Sequence, residues 1–284
     1  ILLKRAKVIY DLADFYRDAY VTNVPIISWL SGLLEKLLIR RTDALILQSE
    51  RQILQVETRN LPEKTIFFYN APSSSFKIGI HDKRLADSED EGVFTLFYPG
   101  ELSHDRVKLL VNVINAVKGL PVRIVIAGFG EYEGLLRRYS EDNEQLAFLG
   151  YLDHQKVMEL TEKADLILLT YDPSYANNRI GLPNKLFEAM ACGSLILAPH
   201  GTYMGEVVEK EKIGMIVDYN DPAEIRRVMK SIIERGGETI QLLRENAKRL
   251  YIEKYNPEKL DRRYLKTIKS LALQARTGHP RATR

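Results

Sequence analysis

Short apolar runs alternate with helix-like stretches along most of the chain, and this alternation constrains the fold more than any other feature. Runs of four to six residues stand at 7–12, 44–48, 65–69, 93–98, 122–127, 146–149, 165–170, 194–198 and 214–218. Strands this short, separated by helical segments, predict an α/β fold built on doubly wound parallel sheets. Pro25–Arg41 predicts a helix, because apolar residues recur at 26, 27, 29, 30, 33, 34, 37 and 38, close to a 3.6-residue repeat. Further helices are expected from Glu50, at 221–235, at 238–254 and, behind Asn256-Pro257, at 257–273.

At roughly 100–200 residues per domain, 284 residues suggest about two domains. The break falls where Pro72-Ser73-Ser74-Ser75 and Asp87-Ser88-Glu89-Asp90-Glu91-Gly92 replace the apolar pattern with turn formers and charge. The expected division is a first domain at 1–75, a linker at 76–92, a second domain at 93–255, a C-terminal helix at 256–275 and a polar, disordered tail at 276–284. The first apolar run is under way by Val8. A first domain lacking its opening strands, with about three remaining, is therefore expected.

The composition, 45% hydrophobic and 28% charged, suits a globular chain with a sizeable core and excludes collagen, a disordered tail or a disulfide scaffold. Cys192 is the only cysteine, so no internal disulfide can form, and a reducing compartment such as the cytoplasm is expected. No apolar run reaches the roughly 18 residues that span a bilayer. Residues 1–80 carry 11 Lys/Arg against 8 Asp/Glu, while the other 204 residues carry 30 of each. That bias fits an anionic partner for the first segment but is too small to indicate nucleic acid.

In parallel sheets, ligands bind at the carboxyl ends of strands beside helix N-termini. Two loops of the second domain qualify. Tyr98-Pro99-Gly100-Glu101-Leu102-Ser103-His104-Asp105-Arg106 follows a strand. Gly100 allows close backbone approach, and Arg106 could reach a phosphate or simply pair with Asp105 or Glu101. In the second loop, Pro183 suits the first turn of a helix that Gly193 closes. Amides near Gly181, Leu182 and Lys185 would favour an anion such as a diphosphate. Glu188, five residues beyond Pro183 and about 7.5 Å up that helix, could accept hydrogen bonds from sugar hydroxyls, or could pair with Lys185 on an exposed face.

Pro183-Asn184-Lys185-Leu186-Phe187-Glu188-Ala189-Met190-Ala191-Cys192-Gly193 closely resembles the donor-site helix of GT-B glycosyltransferases of family 4, the group 1 type. Other segments follow in the family's order over roughly residues 7–255. Tyr98 to Arg106 is similar to its glycine loop, Ile126-Ala127-Gly128-Phe129-Gly130 to its strand-end glycines, and Phe148-Leu149-Gly150-Tyr151 to its base-contacting segment. Gly201 to Val207, with Glu206, is similar to the loop before the following helix, and Arg41-Thr42-Asp43-Ala44 to Ser49-Glu50 to the end of the acceptor domain.

The resemblance implies two Rossmann-like domains facing a cleft, and retaining transfer of a sugar from a nucleotide diphosphate sugar to a saccharide or lipid-linked acceptor. It implies Arg106 and Lys185 on the leaving diphosphate and Glu188 on the ribose. Gly100, Gly128, Gly150, Tyr151, Gly181 and Leu182 would line the donor site, with Asp11 and Asp14 on the acceptor side. No cofactor and no metal are implied.

The chain departs from the family at three places. Ile180 stands eight residues before Glu188, where a carboxylate is usual. Glu101 replaces an arginine after Gly100, and Ala13 stands near the place of a histidine. These departures leave room for a non-catalytic relative that binds a nucleotide sugar or a partner, and a sugar-nucleotide epimerase is the other alternative. A dehydrogenase is disfavoured, because Gly128-Phe129-Gly130 leads to Glu133 and Gly134 and breaks the dinucleotide fingerprint. The histidines, at 81, 104, 154, 200 and 279, lack metal-ligand spacing. His200 reads as a loop residue and Cys192 as a small buried one. The stripe of Pro25–Arg41, with Trp29, Leu33, Lys36, Arg40 and Arg41, could pack on the first sheet or lie peripherally on an anionic inner-membrane face.

Overall fold

In the computed structural model, residues 7–13, 25–56, 65–72, 93–234 and 237–277 are described, and they form two all-parallel sheets flanked by helices. The first sheet has the order β1 (Ile9–Leu12), β2 (Ala44–Leu47), β3 (Thr65–Phe67). Its central strand, Ala-Leu-Ile-Leu, is buried along its whole length, as expected of a parallel strand covered on both faces. Helix α1 (Pro25–Arg41) precedes β2 and the short α2 (Gln52–Val56) follows it. Leu12, Ile39, Leu45, Leu47 and Val56 form a small core there.

Helix α1 does not turn its apolar stripe inward. Its buried positions are Gly32, Glu35 and Ile39, and Tyr10 donates its hydroxyl hydrogen to Glu35 Oε1 at 3.1 Å. Trp29 is 65% exposed, and Ile26, Ile27, Leu30, Leu33, Leu34, Leu37 and Leu38 are exposed as well.

The second sheet is built from β4 (Phe94–Glu101), β5 (Val122–Phe129), β6 (Leu146–Gly150), β7 (Leu166–Leu168), β8 (Leu195–Pro199) and β9 (Gly214–Val217). The spatial order is β6-β5-β4-β7-β8-β9, the order of a doubly wound nucleotide-binding sheet. The chain winds outward from β4 through α3 (His104–Ala116), β5, α4 (Glu133–Glu141) and β6, then returns through α5 (His154–Lys163) to β7 on the other side. A crevice opens between β4 and β7, where the winding reverses.

Strand β4 runs to Glu101 and β5 to Phe129, past the ends of the apolar runs at 98 and 127, because Gly100 and Gly128 sit side by side in register. A Cβ at Gly128 would stand 2.0 Å from the Gly100 carbonyl oxygen, so only glycine lets the ladder continue.

Beyond β7, α6 (Ala176–Ile180) is a single helical turn, and α7 (Asn184–Cys192) buries Leu186 through Cys192 in the core. Gly193 ends α7 in the left-handed conformation at φ +70°, as a glycine C-cap does. Burial pushes the Cys192 thiol up to about 12, in keeping with an inert core residue. Helices α8 (Tyr203–Lys210) and α9 (Pro222–Glu234) complete the winding.

Helix α10 (Gly237–Leu250) passes into a π-helical turn, Tyr251–Tyr255. Helix α11 (Pro257–Thr277) then returns to the first sheet, where the rings of Tyr264 and Phe68 lie 5.3 Å apart. This helix runs through Thr277, so Arg276 and Thr277 do not belong to a tail as expected; the first helix breakers are Gly278 and Pro280. The whole of the expected linker, the rest of the tail and Asp14 lie outside the described residues.

Candidate active site

The site forms where the β4 loop, the segment after β7 and the start of α7 meet the first sheet. Gly100, at φ +153°, stands one residue before the end of β4. Arg106, on the first turn of α3, lies with Nη1 3.1 Å from Glu101 Oε2 and Nε 3.8 Å from Asp105 Oδ2. Its guanidinium carbon sits 4.8 Å from the centre of the Tyr171 ring, a cation–π distance. Burial works against its charge, but Tyr171, Tyr98, Asp105 and Glu101 together raise its pKa. The Asn178 amide donates to Asp105 Oδ2 and to the Asp172 carbonyl, both at 3.0 Å, tying α6 to α3.

A cavity of about 290 Å³ lies between the sheets. Ala13, Gln48, Ser49 and Gln52 line it from the first sheet; Arg106, Tyr171, Asn177, Asn178 and Lys185, with residues 180–184, line it from the second. Hydrogen bonds brace its walls. The Ser49 hydroxyl donates to the Ile180 carbonyl at 2.8 Å, and the Gln52 amide donates to the Ala13 carbonyl at 2.9 Å. Around it, Glu50 accepts hydrogen bonds from Tyr69 at 2.7 Å and Tyr203 at 3.0 Å, with Lys254 at 3.6 Å. Arg51 pairs with Glu206.

A second pocket of about 190 Å³ lies on the other side of Lys185. Gly100, Gly128, Phe129, Tyr151 and Glu188 line it, and Asn184 and Lys185 line both spaces. Phe129 and Tyr151 are exposed at its mouth with ring centres 5.7 Å apart. Glu188 is only 9% exposed, and its Oε1 lies 3.0 Å from His154 Nε2. The Lys185–Glu188 pair considered from spacing is absent among the described residues; Lys185 reaches across Gly100 instead. Pro183 stands at the N-cap of α7, one residue before its first turn, and supplies no side-chain cap. First-turn amides left without a side-chain acceptor are suited to an anion. An aromatic-lined pocket with a buried carboxylate therefore adjoins a cationic, amide-lined cavity.

The family described as glycosyl transferases group 1 matches residues 93–235, which hold the smaller pocket and the second-sheet side of the larger cavity. The chain belongs to the group 1 glycosyl transferases. It is 28% identical over 168 residues to an uncharacterized glycosyltransferase of Methanocaldococcus jannaschii, covering 56% of this chain and 41% of that one. It is 24% identical over 252 residues to glycogen synthase of Mycobacterium tuberculosis, covering 78% and 56%. The chain thus spans about half the length of the curated relatives it matches. Among solved structures, sucrose-phosphate synthase from Thermosynechococcus elongatus superposes with a TM-score of 0.70 at 15% identity, over 93% of this chain and 68% of that one. Anabaena HepE in complex with UDP gives 0.70 at 18%, over 94% and 73%. These likenesses show the GT-B fold.

In this member of the group 1 family, Gly100, Gly128, Tyr151, Lys185 and Glu188 converge on the smaller pocket, and Arg106, Gly181, Leu182 and Lys185 on the larger cavity. The Leu182 side chain is 5% exposed and packs in the core, so its backbone is what it can offer a ligand. Gly150 lines neither space; it turns the chain at φ +68° just before Tyr151. Asp11 is exposed on β1 and lines neither space. Arg106 is paired with Glu101 and near Asp105, as its charged neighbours suggested, and also faces the cavity. Sequence reading assigned no site role to Gln52, Tyr171 or His154. Their positions depend on contacts between segments, such as the 34-residue separation of His154 from Glu188, which no local motif encodes.

Proposed function

We propose that this site takes a nucleotide diphosphate sugar and transfers its sugar to an acceptor with retention of configuration. The observation that carries this reading is the position of Lys185, which lines both spaces and so sits where a diphosphate would join nucleoside to sugar. The base would lie near Phe129 and Tyr151, the ribose on Glu188, the diphosphate between Arg106, Lys185 and the α7 amides, and the sugar in the inter-sheet cavity. As the glycosidic carbon–oxygen bond breaks, negative charge grows on the departing diphosphate. Two cations and a helix N-terminus already aimed there stabilise that charge in the transition state, and in this reading they serve in place of a metal. UDP is the nucleotide to test first, because the HepE structure holds it.

The acceptor approaches from the first sheet. A saccharide or lipid-linked acceptor fits this reading, and the exposed apolar face of α1, with Arg40 and Arg41 in its last turn, supports peripheral contact with an anionic membrane. No described helix is long and apolar enough to cross a membrane. A cytoplasmic location goes with this reading.

Incubating the chain with UDP-sugars and following the nucleotide products tests the assignment. A transferase releases UDP, an epimerase returns a new UDP-sugar, and a binding protein leaves the donor unchanged.

A further inference from the structure

Glu188 is a buried carboxylate whose hydrogen-bond donor among the described residues is His154, at 3.0 Å from Oε1. Lys185, three residues before it on the same helix, is turned away across Gly100, and Cys192, four residues after it, is a neutral thiol. His154 is the first residue of α5, and its backbone is fixed by the Asp153 N-cap, whose carboxylate accepts the Lys156 amide at 2.8 Å. Its side chain is 54% exposed at the rim, whereas that of Glu188 is 12% exposed. The imidazole is therefore anchored on one helix and reaches across to a carboxylate on another.

We propose that His154 is a positioning residue for the nucleotide: by holding Oε1 it fixes the carboxylate plane and leaves Oε2 for a ribose hydroxyl. This rests on the reading of Glu188 as the ribose contact. A carboxylate without such a partner rotates about its last torsion, which is broad for an sp³–sp² bond, and must be ordered when the ligand binds. Pre-ordering it lowers the entropy cost of binding. The imidazole and ribose do not compete, because a carboxylate has about four lone-pair sites. A side-chain amide of similar reach can donate the same bond, so His154→Gln should largely preserve the effect and His154→Ala should lose it.

The test is calorimetric titration of the wild-type chain, His154→Ala, His154→Gln and Glu188→Ala with UDP and with 2′,3′-dideoxy-UDP. The wild type should prefer UDP. His154→Ala should lose about fivefold of that preference, the scale of one net hydrogen bond, with affinity for the dideoxy compound unchanged. His154→Gln should restore most of it. Equal losses for both nucleotides, or an unchanged preference in His154→Ala while Glu188→Ala has lost its own, overturns the role of His154 alone. An unchanged preference in Glu188→Ala overturns the ribose assignment and the present proposal with it.

Discussion

Lys185 lies directly across Gly100: a methyl group added at Gly100 would stand 2.4 Å from Lys185 Cε and 2.5 Å from Nζ. The glycine thus provides the space in which the lysine crosses the end of β4. Gly100→Ala should displace the ammonium and strain the backbone at φ +153°. Losing a charge-assisted hydrogen bond costs about 1.5–3 kcal/mol, or about 10–150-fold in affinity. UDP binding should fall toward that range with uridine binding little changed. Titration with both ligands checks this, and a variant that binds UDP like the wild type would separate Lys185 from the diphosphate.

Arg106 is held at 3.1 Å by Glu101, whose side chain is 55% exposed. A phosphate must compete with that carboxylate. Exposed ion pairs are worth roughly 0.2–1 kcal/mol, so Glu101→Gln should tighten UDP binding by about 1.5–5-fold. Uridine should bind as before. Weaker UDP binding in this variant would mean that Glu101 orients the arginine rather than opposing the ligand.

Glu50 links the two sheets through Tyr69, Tyr203 and Lys254. Burial raises its pKa, but the Tyr69 hydroxyl, a backbone hydrogen bond, Lys254 and Tyr203 outweigh burial and lower it below 4.5. A carboxyl with a lowered folded-state pKa stabilises the fold above its unfolded value, and that contribution disappears as pH falls through the folded value. Thermal melting between pH about 6 and about 3.5 should show a loss of stability in the wild type that Glu50→Gln lacks. Identical pH profiles for the two would remove Glu50 from the acid response.

Trp29 is the only tryptophan, and it is 65% exposed on the apolar face of α1. Its fluorescence therefore reports on whatever covers that face. Anionic phosphatidylglycerol vesicles should shift its emission to the blue, phosphatidylcholine vesicles less so, and Leu33→Glu with Leu37→Glu should abolish the shift. No response to vesicles, or the same shift on raising protein concentration without lipid, would contradict membrane contact.

Much of this architecture is legible in the sequence because parallel strands buried on both faces are written as short apolar runs. Segment 183–193 was equally readable, since a proline entry, a glycine exit and buried apolar residues between them describe one helix. Helix α1 shows where periodicity stops informing. Its repeat groups the leucines on one side, but Gly32 and the Tyr10–Glu35 hydrogen bond determine which side meets the sheet. The turn at Ala176–Ile180 has no sequence signature, because a single turn is too short to carry a period. The π-helical turn at Tyr251–Tyr255 passed as the end of a regular helix. Packing gives its reason: Tyr255 meets Phe187 and Tyr69 at ring distances of 5.0 and 4.8 Å, contacts made by residues far away in sequence.

In the proposed site one nucleotide diphosphate spans the two spaces joined at Lys185, with Glu188 on its nucleoside and Arg106 on its phosphates. Calorimetric titration of UDP and uridine against the wild type, Glu188→Ala and Arg106→Ala tests it most directly. Glu188→Ala should weaken both ligands by about 10–150-fold, and Arg106→Ala should weaken UDP by a similar factor while leaving uridine unchanged. Unchanged UDP affinity in both variants, with their folds intact by circular dichroism, would contradict the assignment.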